Sequence, residues 1–387
     1  MTVETESLNT PGQLIERLLD ERDWTKKTLS LVIGTDETAL NRVISAKRPL
    51  TAELALVLEE VFGTSADKFL QLQKKHELAQ ARLASTPDPD RKSRLELFGD
   101  LKISQLIKRG WISPENDKDV TALENAVTQF FGKPVDSMLQ SFGHAAKKTD
   151  ATSEVTITQI AWMIRVRQLA QQISAPEYSI EKLTRALVTL KTKLEKPDQI
   201  EDVSGILNSA GVRLVVVESL PSAKIDGVCL WIDDSKPVIG LSARFDRIDN
   251  FWFVLRHEIE HILNGDGKTE PTGHLDAELE GKKAGTDSSL PLCEKRANMA
   301  AANFCITPES MDAFIAENNP YFSERLLVSF AATINVHPGL VAGQLQHRTG
   351  RHDRFRSHLV KIRAHLVNSA MTDGWGNIPS ITQQGEL

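Results

Sequence analysis

Two histidines, His257 and His261, stand four residues apart in FWFVLRHEIEHIL, and a glutamate, Glu258, follows the first. On a helix this spacing puts both imidazoles on one face, one turn apart, where they can hold a single Zn²⁺. It also turns Glu258 towards a water at the metal, as a general base. Such a trio hydrolyses peptide bonds. The other reading of the same residues is a pair of surface histidines partnered by Glu258 or Glu260. The surrounding Phe251, Val254, Leu255, Ile259, Ile262 and Leu263 favour the first, because they outline a helix with one buried side and one presented side.

A catalytic zinc keeps three protein ligands and an open position, so a third donor is required. A histidine six residues after His261 would supply it in one known pattern, but Gly267 stands there. His274, Glu278 and Glu280 lie downstream in a glycine-rich stretch, and Glu294 opens the helical pattern CEKRANMAAANFCI. A helix would hold the Glu294 carboxylate rigidly, and Ala297, Ala300 and Ala301 would let it pack closely on the HEIEH helix. An acid in a first helical turn is also favoured by the helix dipole, so spacing alone leaves Glu294 between ligand and helix-stabilising residue. Cys293, next to it, is a softer donor that suits a structural site. For the oxyanion, His337 and Arg256 are the donors the sequence offers.

Elements must position these groups, and the chain is long enough for several domains. It has 387 residues, 41% hydrophobic and 25% charged, which is ordinary for globular chains and excludes wholesale disorder. Residues 11–83 carry short amphipathic patterns broken by Gly34, Pro49 and Gly63, which predicts an all-helical unit of about five helices. A linker is expected at 84–94, around STPDPDRKS, and a helical middle region at 95–200. Then GVRLVVVESL, VCLWIDD and KPVIGLS predict three strands, at least two of them antiparallel. Helical patterns resume at 249–264, 292–305 and 322–334, with a long loop over 265–291 and a poorly ordered tail from 371 to 387. The fold expected is multidomain and mainly α, with a small α+β zinc domain over 201–370.

The stretch Gly211–Pro308, with GVRLVVVESLP, DGVCLWIDDSKPVIGLS, DRIDNFWFVLRHEIEHIL and E-x-x-A-N at Glu294–Asn298, resembles the ImmA/IrrE family of zinc metallopeptidases. HPGLVAGQLQHRTG (337–350) is similar to the segment that closes that domain. The resemblance implies a gluzincin-like fold, zinc held by His257, His261 and Glu294, and Glu258 as base. It further implies a substrate among helix-turn-helix repressors. Ala300-Ala301 replaces the Phe-Ala often found in the family, a change that affects packing more than ligation.

Residues 25–45, TKKTLSLVIGTDETALNRVIS, have the helix-turn-helix layout. Leu29 and Val32 point inward from a first helix, Gly34 turns, and Leu40, Val43 and Ile44 point inward from a second. With PGQLIERLLDERDWT and AKRPLTAELALVLEEVFGTS, the unit resembles the phage-repressor-like domain of HigA-type antitoxins. On DNA, Thr35, Asp36, Glu37, Thr38, Asn41 and Arg42 would begin or line the recognition helix, and Lys26, Lys27, Lys47 and Arg48 would meet phosphates. Charge objects: residues 1–82 hold eleven Lys and Arg against thirteen Asp and Glu, net -2, within a chain of net charge -6. A homodimer on two half-sites would add contacts. The alternative is a helical protein-interaction module. A second basic stretch, RTGRHDRFRSHLVKIR (348–363), reads as the solvated face of a helix, with a nucleic-acid or acidic-partner surface as its alternative.

Three cysteines, no targeting segment and no apolar run long enough for a membrane span place the expected protein in the cytoplasm. Two functions follow. One is a HigA-like regulator or antitoxin fused to a zinc endopeptidase that cleaves a regulatory protein. The other is a non-proteolytic antitoxin or DNA-binding regulator whose zinc domain senses or holds a partner such as a cognate toxin.

Overall fold

The structure is a computed structural model that describes residues 10–86, 101–132, 155–268, 290–379, the backbone of 274–277, and Arg91, Leu95 and Gly99. Most of the expected linker, the end of the tail from residue 380, and Glu278 and Glu280 lie outside the described residues. The chain forms two compact units, residues 1–91 and 92–387.

Among its described residues the first unit forms helices α1 (Pro11–Asp20), α2 (Lys26–Ile33), α3 (Glu37–Ile44), α4 (Ala52–Phe62) and α5 (Ala66–Ala84). Each begins on a side chain that accepts a hydrogen bond from the first turn: Thr10, Thr25, Asp36, Thr51 and Ser65. Gly34 and Gly63 end α2 and α4 in the left-handed conformation that glycine adopts without a steric penalty. Leu14, Ile15, Leu29, Leu40, Val43, Ile44, Leu58 and Phe69 make the core. Gly12 sets how α1 crosses the end of α3, since a Cβ there would lie 1.8 Å from the Ile44 carbonyl oxygen. Leu29 points inward as expected, but Val32 does not; it is 51% exposed, because a helix of eight residues turns only a narrow stripe to the core.

The second unit is built on one five-stranded mixed sheet in the order β4-β2-β3-β1-β5. β1 (Arg213–Val217) runs parallel to β3 (Pro237–Leu241) and to β5 (Met371–Asp373), while β2 (Ile225–Trp231) is antiparallel to β3 and to β4 (His274–Ala277). The central strands are buried along their whole length, as continuous β-branched runs require when both faces are covered. Alternation divides them: Val215, Val217, Val228 and Leu230 face one cluster, and Leu214, Val216, Cys229 and Trp231 face the other. Before the sheet come α6 (Ile103–Lys108), α7 (Val120–Phe131), α8 (Ile157–Gln171), α9 (Ile180–Lys191) and α10 (Val203–Ser209). After β3 come α11 (Ile248–Asn264), α12 (Leu292–Cys305), α13 (Pro308–Asn318), α14 (Glu324–Thr333), α15 (Pro338–Thr349) and α16 (Arg363–Ser369).

α8 covers one sheet face through Trp162, Val166 and Leu169, and α11 covers the other through Phe251, Trp252, Val254 and Leu255. The division expected at 200/201 therefore does not exist within this unit: the helical middle region supplies the second cover of the sheet. The tail also differs from expectation at its start. Met371–Asp373 is the edge strand β5, and the fully buried Asp373 carboxylate accepts from Trp111 Nε1 at 3.1 Å and from Arg165 Nε. The long loop likewise contains β4. Among the described residues no single helix is long and apolar enough to cross a membrane.

Arg165 and Asp373 are both buried, so removing one strands the other's charge. Asp373→Ala should lower the unfolding free energy by about 3–5 kcal/mol, read from denaturant unfolding followed by tryptophan fluorescence. Replacing both, Arg165→Met with Asp373→Leu, should recover most of that loss.

Candidate metal centre

α11 runs unbroken for 17 residues and stops at Gly265, left-handed at φ 75°. Its apolar face is fixed against the sheet, which carries His257, Glu258 and His261 inside with it; all three are fully buried. The two Nε2 atoms stand 3.0 Å apart, one turn of helix bringing them to the same point. α12 packs alongside, with Ala297 and Ala301 buried at the contact. Its first turn delivers the Glu294 carboxylate to 3.4 Å from His257 Nε2 and 3.6 Å from His261 Nε2. Helix-stabilising acid and donor are thus compatible roles for the one residue.

These separations fit one metal ion. Zinc bonds of about 2.0–2.1 Å in tetrahedral array set donor atoms about 3.3–3.4 Å apart, and 3.0, 3.4 and 3.6 Å bracket that value. Two imidazole nitrogens and a carboxylate oxygen are also the donor set of hydrolytic zinc centres with an open position. Cys293 is not among the converging groups; burial pushes its thiol up, and the neighbouring Glu294 carboxylate adds to this.

Glu258 lies directly under β2 because the strand has no side chain at the point of closest approach. A Cβ on Gly227 would come 2.1 Å from Glu258 Oε1 and 2.9 Å from Val254 Cγ1. The sequence carried the signal, a lone glycine inside a strand pattern, which marks close approach of another group. A second residue that spacing did not single out is Asp266, whose Oδ2 lies 2.9 Å from His261 Nδ1. The two oxyanion candidates are engaged elsewhere. Arg256 pairs with Glu260 at 2.8 Å, and His337 caps α15 by accepting from the Gly339 N–H. Burial, with His358 nearby, lowers the His337 pKa.

In the first unit, Thr35 and Thr38 are exposed at the start of α3, and Asn41 is half-buried. Lys47 and Arg48 both donate their backbone N–H to the Arg42 carbonyl, which gathers three exposed cations at the end of α3. Lys27 is exposed, whereas Lys26 pairs with Glu16 at 2.7 Å. The Asp36 carboxylate caps α3, accepting from the Ala39 N–H at 2.8 Å. The basic stretch 348–363 is not a helix face: α15 ends at Gly350, and turns with a short 3₁₀ segment follow. Arg348 pairs with Asp312 and Arg363 with Asp246.

Residues 209–345 match the family described as the IrrE N-terminal-like domain of peptidase M78, and residues 15–69 match the family described as helix-turn-helix. The uncharacterized HTH-type transcriptional regulator YddM of Escherichia coli (strain K12) is 32% identical over 85 residues, 22% of this chain and 88% of the relative.

A side chain at 227 must push Glu258 aside. Gly227→Ala should cost about 1–3 kcal/mol of stability, and Glu258→Ala in the same chain should relieve most of it. Additive losses in that double-mutant cycle would contradict the close contact.

Proposed function

The chain belongs to the helix-turn-helix regulators through its first domain and to the IrrE N-terminal-like family through its second, and from that premise we propose that it is a DNA-binding regulator fused to a zinc-dependent endopeptidase. The observation that carries the peptidase half is the convergence of His257, His261 and Glu294 on one point beside a fully buried Glu258. The two imidazoles and the carboxylate would hold Zn²⁺. Held there, zinc would supply Lewis-acid chemistry, polarising a peptide carbonyl and making a water easier to deprotonate. Glu258 accepts the proton of the attacking water at its carboxylate and passes it to the leaving amide nitrogen. Its enclosure between α11 and β2 removes competing solvent and holds it in one orientation. The substrate class we propose is a regulatory protein, as the fusion to a regulator domain suggests.

For the first domain we propose operator binding by α3, as a homodimer on two half-sites. Thr35, Thr38, Asn41 and Arg42 face the bases and backbone, and Lys26, Lys27, Lys47 and Arg48 face phosphates. The exposed cluster of Arg42, Lys47 and Arg48 supports this, because phosphate contacts depend on local charge more than on the domain's total. The second reading is a non-proteolytic regulator, antitoxin-like, whose zinc domain holds a partner such as a toxin. The relative named as a transcriptional regulator, similar to this chain over 85 residues, favours the regulator part of that reading.

His257→Ala or His261→Ala should lose stoichiometric zinc in metal analysis of the purified chain. Glu258→Gln should keep the metal and lose activity by about 10²–10⁴-fold; wild-type turnover in that variant would rule out the peptidase mechanism and leave the binding reading. Asn41→Ala with Arg42→Ala should weaken binding to DNA from the chain's own promoter and reduce its salt dependence. Salt-independent or absent binding by the wild type would favour a protein-interaction module.

A further inference from the structure

We propose that Asp266 is a positioning residue of the metal centre, fixing the ligating form of His261, and that Trp231 on β2 holds Asp266 in place. The inference rests on the zinc reading above. A neutral imidazole carries one N–H, and the nitrogen that ligates must be the other. His261 turns Nε2 towards His257 and Glu294, so its proton belongs on Nδ1. Nδ1 lies 2.9 Å from Asp266 Oδ2, which accepts that proton's hydrogen bond and sets both tautomer and ring orientation.

Both the backbone and the carboxylate of Asp266 take part in this arrangement. Its N–H donates to the carbonyl of His261 itself at 2.9 Å, so the residue grips His261 by both backbone and ring. Its carbonyl accepts from Trp231 Nε1 at 2.9 Å, with the Cys229 thiol 3.6 Å away. Trp231 is itself held: Tyr178 meets its ring edge-on at 5.5 Å, and the Lys268 ammonium sits over it at 4.3 Å. Gly265 and Gly267, at φ 75° and 76°, make the turn that brings Asp266 back under the helix end.

Helix stability does not account for the carboxylate. Asp266 follows the C-terminus of α11, where the macrodipole is negative and an acid is unfavourable. The His261 N–H offsets that cost, and it is the interaction a ligating imidazole needs. A turn built only to end the helix would do better with a neutral or basic residue at this position.

The test uses the full chain and Zn²⁺, with affinity measured by competition against a chromophoric chelator and thermal unfolding measured for the metal-free protein. Asp266→Ala should weaken zinc binding about 10–100-fold while leaving the metal-free protein as stable as the wild type or more so. Asp266→Asn keeps an acceptor without the charge and should lie between the two. Trp231→Phe keeps the packing and loses the donor, and should weaken binding severalfold. If Asp266→Ala binds zinc as the wild type does while His257→Ala does not, the positioning role is wrong and the metal centre stands. If Asp266→Ala destabilises the metal-free protein as much as the loaded one, Asp266 is a structural cap and the proposal fails. Unchanged affinity in Trp231→Phe removes Trp231 from the arrangement. A wild-type chain that takes up no zinc overturns the metal centre and the proposal with it.

Discussion

The contact between α11 and the sheet is the constraint on which the rest of the second unit depends. One helix carries His257, Glu258 and His261 into a fully buried position, where each polar group loses its water. The helix bears that loss because its other buried residues, Phe251, Trp252, Val254, Leu255, Ile259 and Ile262, are large and apolar, each contributing about 1.5–3 kcal/mol on burial. The same packing determines what the strand beneath can be. β2 needs a gap where Glu258 descends, and Gly227 provides it. Two residues earlier β2 pairs out of register with β4, so the strand is irregular at the place where it meets the site.

A helix pressed on one face of a sheet is only as rigid as the support behind that sheet. Here α8 lies behind it, its Val166 so near β3 that a Cβ on Gly240 would come within 2.7 Å of Val166 Cγ1. Arg165, next along α8, reaches Asp373 on β5, and Trp111 closes the group from before α7. Three segments remote in sequence therefore meet on one buried carboxylate. This is why the helical middle region does not stand as a domain of its own: without α8, the residues Val215, Val217, Val228 and Leu230 would face water.

How much of this the sequence disclosed follows the range of the interactions. The HEIEH spacing, the amphipathic face of α11 and the capped helices of the first unit are set within one or two turns, and they read directly from the residues. Glu294 stands 33 residues after His261 in the sequence, and its convergence on the two imidazoles is visible only once α12 packs through Ala297 and Ala301. β4 and β5, of four and three residues, are too short to show alternation and owe their conformation to the strands beside them. Val32 was misplaced for a related reason: over eight residues, period alone does not say how wide the buried stripe is. The basic stretch after α15 reads as a helix face only if the left-handed turn at Gly350 is ignored.

The acidic balance of the first unit is better judged residue by residue than as a sum. A net charge of -2 over residues 1–82 treats every carboxylate as equally opposed to DNA. Yet the Asp36 carboxylate lies against the first turn of α3, where it caps the helix and the helix N-terminus partly offsets its charge. The cations are distributed just as unevenly. The turn after α3, with Ala46 left-handed at φ 57°, folds the backbone of Lys47 and Arg48 onto the Arg42 carbonyl. Screening limits the reach of exposed charges to about 10 Å, so under the operator binding proposed above a phosphate near the end of α3 would respond chiefly to the charges beside it, Arg42, Lys47 and Arg48 among them. The net sum of the unit and the grouping of Arg42, Lys47 and Arg48 along the backbone at the end of α3 are therefore separate quantities, and only the second bears on the operator binding proposed for α3.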